Sequence, residues 1–238
     1  MRDGVSIIVP TRNEGAVIVR CIERVCAACP SAEVLVIDGG TDDTAAALAP
    51  LLARWPRLRY IANRPDLGKG HAVSVGVRAS QGALLAAFDA DLQFLPEELP
   101  RLLAPLLEDR ADLVLGSRFM AGAHRADGSV TGLRGLGNVG FSRFASWLSG
   151  QRLSDVLAGV KAWRRQVTDS FAWTSMGFSY EAELPLKALR RGFRVIDVPV
   201  TTEPRQSGAS SVRVVRTAAR LCADMVRFQW FPLGPPPA

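Results

Sequence analysis

What most constrains this chain is an alternation. Through the first half of the sequence, short apolar runs are separated by segments with helical periodicity, the pattern of a parallel sheet covered by helices. Strands are expected at Val5–Pro10, Val34–Asp38, Leu58–Ala62, Leu84–Asp89 and Leu113–Gly116, and helices near Glu14–Ala28, Asp42–Arg54, His71–Ala79 and Glu97–Glu108. Thr41 stands where it can cap the second helix. Pro96 opens the fourth, where a missing N–H costs nothing. Beyond Phe119 the pattern loosens: a polar, glycine-rich stretch to Gly132 reads as a mobile loop. Helices follow at about Leu133–Ser149 and Tyr180–Arg191, with a strand at Phe193–Val198. At 238 residues, one α/β domain over residues 1–230 is expected, and the Pro-rich end, 231–238, reads as a disordered tail.

Composition removes several classes. Apolar residues make up 48% and charged residues 22%, a globular balance rather than that of a disordered or fibrous chain. No apolar run approaches the roughly 18 residues of a membrane-spanning helix, and Met1–Val5 leads directly into a strand without a secretory apolar core, so a soluble or peripheral protein is expected. The net charge is +6 and the pI about 9.7, which favours anionic partners. From Arg190 to Arg227 there are eight arginines against three acids, so most of the excess sits there. A nucleic-acid binder is not favoured, because the chain has two tyrosines, no aromatic-interleaved basic strand and no zinc spacing. Cys21, Cys26 and Cys29 lie in an apolar helical segment and read as buried small residues rather than cluster ligands, which suits a reducing cytoplasm.

In such sheets ligands bind beyond the carboxyl ends of the strands. Three of those ends carry polar or acidic groups: Pro10-Thr11-Arg12-Asn13-Glu14, Asp38-Gly39-Gly40 and Asp89-Ala90-Asp91. Extended backbone would put the carboxylates of Asp89 and Asp91 on one side, with the Gln93 amide beside them. Two like charges closing an apolar strand are costly unless a cation neutralises them, so a divalent metal is one reading. The other is a turn cap at Asp91 and a solvated Asp89.

These segments occur in the order and setting of a known family. The chain resembles glycosyltransferase family 2 along almost its whole length, most closely its polyprenyl-phosphate (dolichyl-phosphate) mannose and glucose synthase branch. The resemblance rests on Ser6–Glu14, on Asp38, on Leu67-Gly68-Lys69-Gly70-His71-Ala72 and on Asp89-Ala90-Asp91-Leu92-Gln93. It continues through Gly116-Ser117-Arg118, Ser154–Lys161, Gly177–Glu181 and Arg205–Ser210.

The resemblance implies a GT-A, Rossmann-like fold with a nucleotide-binding half over about 1–118 and an acceptor half over 119–230. It implies inverting transfer of a hexose from a nucleoside-diphosphate sugar, of GDP-mannose or UDP-glucose type, to a polyprenyl phosphate, with Mg²⁺ or Mn²⁺. Pro10, Thr11, Glu14, Asp38, Lys69, Asp89, Ala90, Arg205 and Ser210 would meet the donor; Asp89, Asp91 and Gln93 would hold the metal. Arg118 and Arg134 would meet the acceptor phosphate, with Asp155 or Glu181 as base should the acceptor be a hydroxyl. That alternative, a soluble hydroxyl acceptor, stays open, as does a nucleotide-sugar-binding module without turnover. Two departures stand out: the loop from Asp38 to Thr44 is one residue short, and Ser211 stands where the family carries Lys. The expected location is the cytoplasm, at the inner face of the membrane. Ser211–Phe228 forms a basic amphipathic helix that could lie on an anionic bilayer or pack on the core.

Overall fold

The structure, a computed structural model, describes residues 4–129, 132–204 and 214–234. A seven-stranded sheet runs through it in the order β3-β2-β1-β4-β7-β5-β8. The first half alternates as its apolar runs require: β1 (Val5–Thr11), α1 (Gly15–Ala28), β2 (Glu33–Asp38), α2 (Thr44–Arg54), β3 (Leu58–Ala62), α3 (Lys69–Ala79), β4 (Leu84–Ala87), α4 (Leu99–Leu107) and β5 (Leu113–Ser117). The second half adds a short β6 (His124–Arg125), α5 (Gly132–Ser149), β7 (Lys161–Arg164), α6 (Arg165–Asp169), α7 (Tyr180–Arg190), β8 (Val195–Pro199), β9 (Thr201–Thr202) and α8 (Val214–Trp230). All pairings in the large sheet are parallel except those of β7, which runs antiparallel to both β4 and β5.

The inner strands β1, β2, β4 and β5 are buried on both faces, which is why they read as continuous apolar runs rather than alternating ones. Ile7 and Val9 point to one side with Ile18, Ile22 and Leu102. Ile8, between them, faces the other side with Leu35, Ile37 and Ala72 of α3. Under α5, α7 and α8 a further cluster gathers Leu113, Leu115, Trp163, Tyr180 and Met225. Each such fully buried aliphatic side chain contributes about 1.5–3 kcal/mol.

Several expectations need correction. β4 ends at Ala87, before the acidic pair, and Leu92 adopts a φ of 56°, so Asp89–Asp91 lie on a turn rather than on extended backbone. The N-cap of α2 is Asp43 rather than Thr41 and makes no side-chain cap bond; Asp42, just before it, accepts from Thr44 N and Oγ1 with Oδ1 and from the N–H of Gly15 with Oδ2. Pro96 opens a single 3₁₀ turn, Pro96–Glu98, that leads into α4. Inside the stretch expected to be a mobile loop, His124–Arg125 pairs with Thr201–Thr202. The tail is described as far as Gly234, where the carbonyl of Leu233 accepts from Ala172 N. Finally, α8 spends its apolar side on the core: Leu221, Met225 and Phe228 are buried, and Arg220 is solvated. At the end of the helix Trp230 and the following Phe231 are exposed, and the side chains of residues 214–217 lie outside the described ones.

Candidate active site

At β1 the strand order changes direction, with β2 on one side and β4 on the other. The ends of β1 and β4 wall a cleft of about 520 Å³ at this topological switch, where open α/β sheets bind ligands. Seven of the expected residues line it: Pro10, Thr11, Glu14, Lys69, Asp89, Ala90 and Asp91. Thr11 Oγ1 is buried there and has no hydrogen-bond partner among the described residues, a cost that a polar ligand in the cleft would remove.

Asp89 is one end of a row of alternating charge that runs from the cleft into the core. Lys69 Nζ lies 2.6 Å from Asp89 Oδ1 and 2.7 Å from Glu181 Oε1. On the far side of Glu181, the fully buried ammonium of Lys161 donates to its Oε2 and to the carbonyl of Ala158. The Tyr180 ring lies 5.5 Å from one ammonium and 6.0 Å from the other. Burial pushes the Asp89 carboxyl up to about 6, a push that Asp91 and Glu181 reinforce and Lys69 opposes. For Glu181 burial acts in the same direction, but Lys161 and Lys69 outweigh it and hold the carboxyl below its ordinary range. Only glycine at 159 admits this arrangement: a Cβ there would stand 2.0 Å from Asp89 Oδ2. Gly70 likewise lets the start of α3 dock on the 175–177 backbone, where a Cβ would stand 2.2 Å from Ser175 O.

Asp91 serves two ends at once. Its Oδ1 accepts from the N–H of Gln93 at 3.0 Å, the turn cap of the plain reading, while the residue also lines the cleft. The Gln93 amide turns away to donate to the Ser129 carbonyl at 2.7 Å, and Gln93 is not among the lining residues. No group of three metal-ligating side chains occurs among the described residues. A site with one or two carboxylates fits Mg²⁺ or Mn²⁺ that completes its shell with water and substrate phosphate, rather than an all-protein cage.

Three other expected residues lie outside the cleft. Asp38 ends β2, with Oδ1 accepting from Gly40 N and Oδ2 from the Tyr60 hydroxyl. Arg118 is buried and bound bidentately to Asp155, Nε to Oδ2 at 2.6 Å and Nη2 to Oδ1 at 2.9 Å. Asp155 has no exposed surface, so it is neither a helix cap nor an open base but the counter-charge of Arg118. Arg205 and Ser210 lie outside the described residues, as does the side chain of Arg134. Arg12, Asn13, Asp66, Gly177 and Phe178 also line the cleft and were not singled out as site residues from the sequence. Asp66 pairs with Arg12 at 3.3 Å and accepts from the N–H of Gly68, contacts that no local spacing announces.

The model of glycosyl transferase family 2 matches residues 6–164. The chain belongs to that family. This family 2 glycosyltransferase is 32% identical over 221 residues to polyprenol monophosphomannose synthase of Mycolicibacterium smegmatis, covering 87% of this chain and 80% of that one. It is 31% identical over 215 residues to undecaprenyl-phosphate mannosyltransferase of Micrococcus luteus, covering 86% of each. In fold it is similar to glucosyl-3-phosphoglycerate synthase of Mycobacterium tuberculosis solved with Mn²⁺, UDP and glucosyl-3-phosphoglycerate, with a TM-score of 0.68 at 22% identity over 99% of this chain and 82% of that one. The glycosyltransferase therefore has the GT-A fold, and the cleft at the end of β4 is its candidate active site. No helix among the described residues is long and apolar enough to cross a membrane.

Proposed function

We propose that this glycosyltransferase moves a hexose from a nucleoside-diphosphate sugar to a polyprenyl phosphate, inverting the anomeric centre, with Mg²⁺ or Mn²⁺ as cofactor. The observation that carries the donor half is the pairing of Asp89 and Asp91 in one cleft with the end of β1, where the buried Thr11 hydroxyl lacks a partner. Asp91, with Asp89, would hold the metal. When bound, that cation absorbs charge developing on the departing diphosphate. The chain's own part is to bind and orient: Pro10, Thr11 and Glu14 border the nucleoside side of the cleft. Lys69, anchored by two carboxylates, acts through Asp89 rather than reaching for the diphosphate itself.

The acceptor half draws on the M. smegmatis and M. luteus relatives, whose names specify polyprenol and undecaprenyl-phosphate chemistry, and on the pairing of the two carboxylates first considered as a base. A sugar hydroxyl must lose a proton to attack, whereas a phosphate monoester is already anionic near neutral pH. Asp155 is consumed by Arg118, and Glu181 is held between two lysines. Neither of these two is placed to take a proton, which agrees with an acceptor that needs none. Arg134 and Arg205 complete the proposal as phosphate contacts, a role that falls outside the described side chains.

The test is a thermal-shift screen of GDP-, UDP- and dTDP-sugars with and without Mn²⁺, followed by transfer to a short-chain polyprenyl phosphate and to a simple alcohol. One nucleotide should raise the melting temperature in the presence of metal, since a ligand stabilises the state it binds. No shift with any nucleotide overturns the donor reading. Turnover on the alcohol but not on the phosphate overturns the acceptor reading.

A further inference from the structure

A second cleft, about 940 Å³, opens between the segment after β5, helix α5 and the turn that follows it. Four of its lining residues are arginines, Arg118, Arg125, Arg143 and Arg152, and none is acidic. Arg118 is neutralised by Asp155. Arg125, Arg143 and Arg152 are exposed, and no ion pair among the described residues involves them.

Helix α5 supplies the rest of this face. Its exposed positions Leu136, Gly140, Arg143 and Trp147 recur at spacings of four, three and four, one stripe of an α-helix. Leu136 and Trp147 are 72% and 71% exposed, on a helix whose other side fills the core with Ala145 and Leu148. Trp147 stacks on Phe144 with centroids 5.9 Å apart, which fixes the indole at the surface. A helix that merely covers a core turns charged groups of both signs outward. This one has no acidic residue along its length and turns outward a leucine, a tryptophan and an arginine.

We propose that the α5 stripe and the arginine cleft beside it dock the enzyme on the surface of an anionic lipid bilayer. The occupant follows from charge and chemistry together. Cationic side chains of one sign attract anionic headgroups, and an indole with an aliphatic neighbour inserts at the headgroup boundary. The proposal rests on the lipid-acceptor reading for its purpose, because a polyprenyl phosphate is reached from the bilayer surface. It places the membrane contact on α5, whereas α8 buries Leu221, Met225 and Phe228 in the core.

The experiment is co-sedimentation of the full chain with vesicles of phosphatidylcholine alone, or of phosphatidylcholine with phosphatidylglycerol, at low salt and at about 1 M, where the Debye length is about 3 Å. The wild type should sediment with the anionic vesicles at low salt and be released at high salt. Each arginine near a charged surface contributes about fivefold in partitioning, so R143E/R152E should weaken binding by at least about 25-fold. L136S/W147S should weaken it by about tenfold or more and leave the salt dependence in place.

On a water-soluble short-chain prenyl phosphate without vesicles, both variants should turn over like the wild type; on a long-chain acceptor embedded in vesicles they should fall with their binding. Wild-type protein that stays in the supernatant at low salt overturns the proposal. So do variants that sediment unchanged, an R220E/R227E variant of α8 that loses as much binding as R143E/R152E, or a W147S variant that changes self-association instead of vesicle binding. If the wild type transfers sugar to neither acceptor, the function reading fails while sedimentation still decides the docking face.

Discussion

Replacing Glu181 with Gln tests the buried charge row directly. The amide keeps the shape of the side chain and removes one of four charges. Lys161, with no exposed surface, then has only neutral acceptors, the Ala158 carbonyl and the new amide oxygen, and Lys69 keeps only Asp89 as a carboxylate partner. Removing one member of a buried ion pair costs about 3–5 kcal/mol. In a chain of this length each kcal/mol moves the melting temperature by about 2–4 °C, so a fall of about 6–20 °C is expected. The charge also sets a direction in pH. Because Glu181 is held below its ordinary range, its stabilisation is fully present above that range and is lost as the pH falls through the folded value; E181Q should lack this component of acid sensitivity. A second variant, E181Q/K161M, removes opposite charges together and should recover most of the stability, since replacing both partners of a buried pair is close to neutral. Metal binding should not recover with it. Lys69 loses one of its two anchors in either variant, and loss of a group that orients a metal ligand typically costs about 10–100-fold in metal affinity. The assay is scanning calorimetry together with Mn²⁺ titration of turnover, reading metal affinity apart from kcat at saturating metal. A double variant that regains both stability and wild-type Mn²⁺ affinity would refute the argument and leave Glu181 with a packing role alone.

Three further outcomes follow from the same geometry. Because the Asp89 carboxyl is raised to about 6 and a metal needs it ionised, apparent Mn²⁺ affinity should drop about tenfold per pH unit below that value; a flat profile across that interval counts against Asp89 as a ligand. Gly159→Ala puts a Cβ where the Asp89 carboxylate lies, so it should cost about 1–3 kcal/mol in thermal melts and weaken Mn²⁺ binding; wild-type affinity would show that Asp89 can move without consequence. Asp91→Asn keeps an oxygen to accept the Gln93 N–H, so the protein should melt as the wild type does while kcat falls at least about a hundredfold; retained turnover removes the metal from the end of β4.

The parallel half of the sheet was legible because its strands are buried on both faces and its helices on one, so pattern and fold agree. The strand ends were legible for a related reason: Thr11, Glu14, Asp89 and Asp91 stand directly after apolar runs, and topology alone carries them to one edge. What the sequence hid is where those groups find their partners. Glu181 is 112 residues from Lys69 and Asp155 is 37 from Arg118, so no local spacing can pair them. Lys161 begins an antiparallel strand of four residues, too short to carry an alternation signal. The basic helix α8 showed the opposite limit, since a stripe of arginines opposite a stripe of apolar residues is the same pattern whether the apolar side meets a bilayer or a core.

The reversed strand explains why the chemistry cannot be confined to the nucleotide-facing half. β7 pairs Ala87 with Lys161 and Leu115 with Lys161, so it enters the sheet beside the end of β4, and Gly159 and Lys161 arrive within reach of the acidic turn. A parallel strand in the same slot would finish, rather than start, its run at that edge and would bring different residues there. Being antiparallel, β7 delivers its N-terminal end to the carboxyl edge of β4, and the Ala158-Gly159-Val160-Lys161 segment provides both the bare backbone against which Asp89 rests and the ammonium that holds Glu181. The acidic pair and Lys69 therefore come from the first half of the chain, while Glu181, its partner Lys161 and the bare backbone at Gly159 come from the second. Swapping residues 1–118 alone into another framework should carry Asp89, Asp91 and Lys69 across but leave Lys69 without its second anchor, Glu181, so Mn²⁺ affinity should fall by about 10–100-fold.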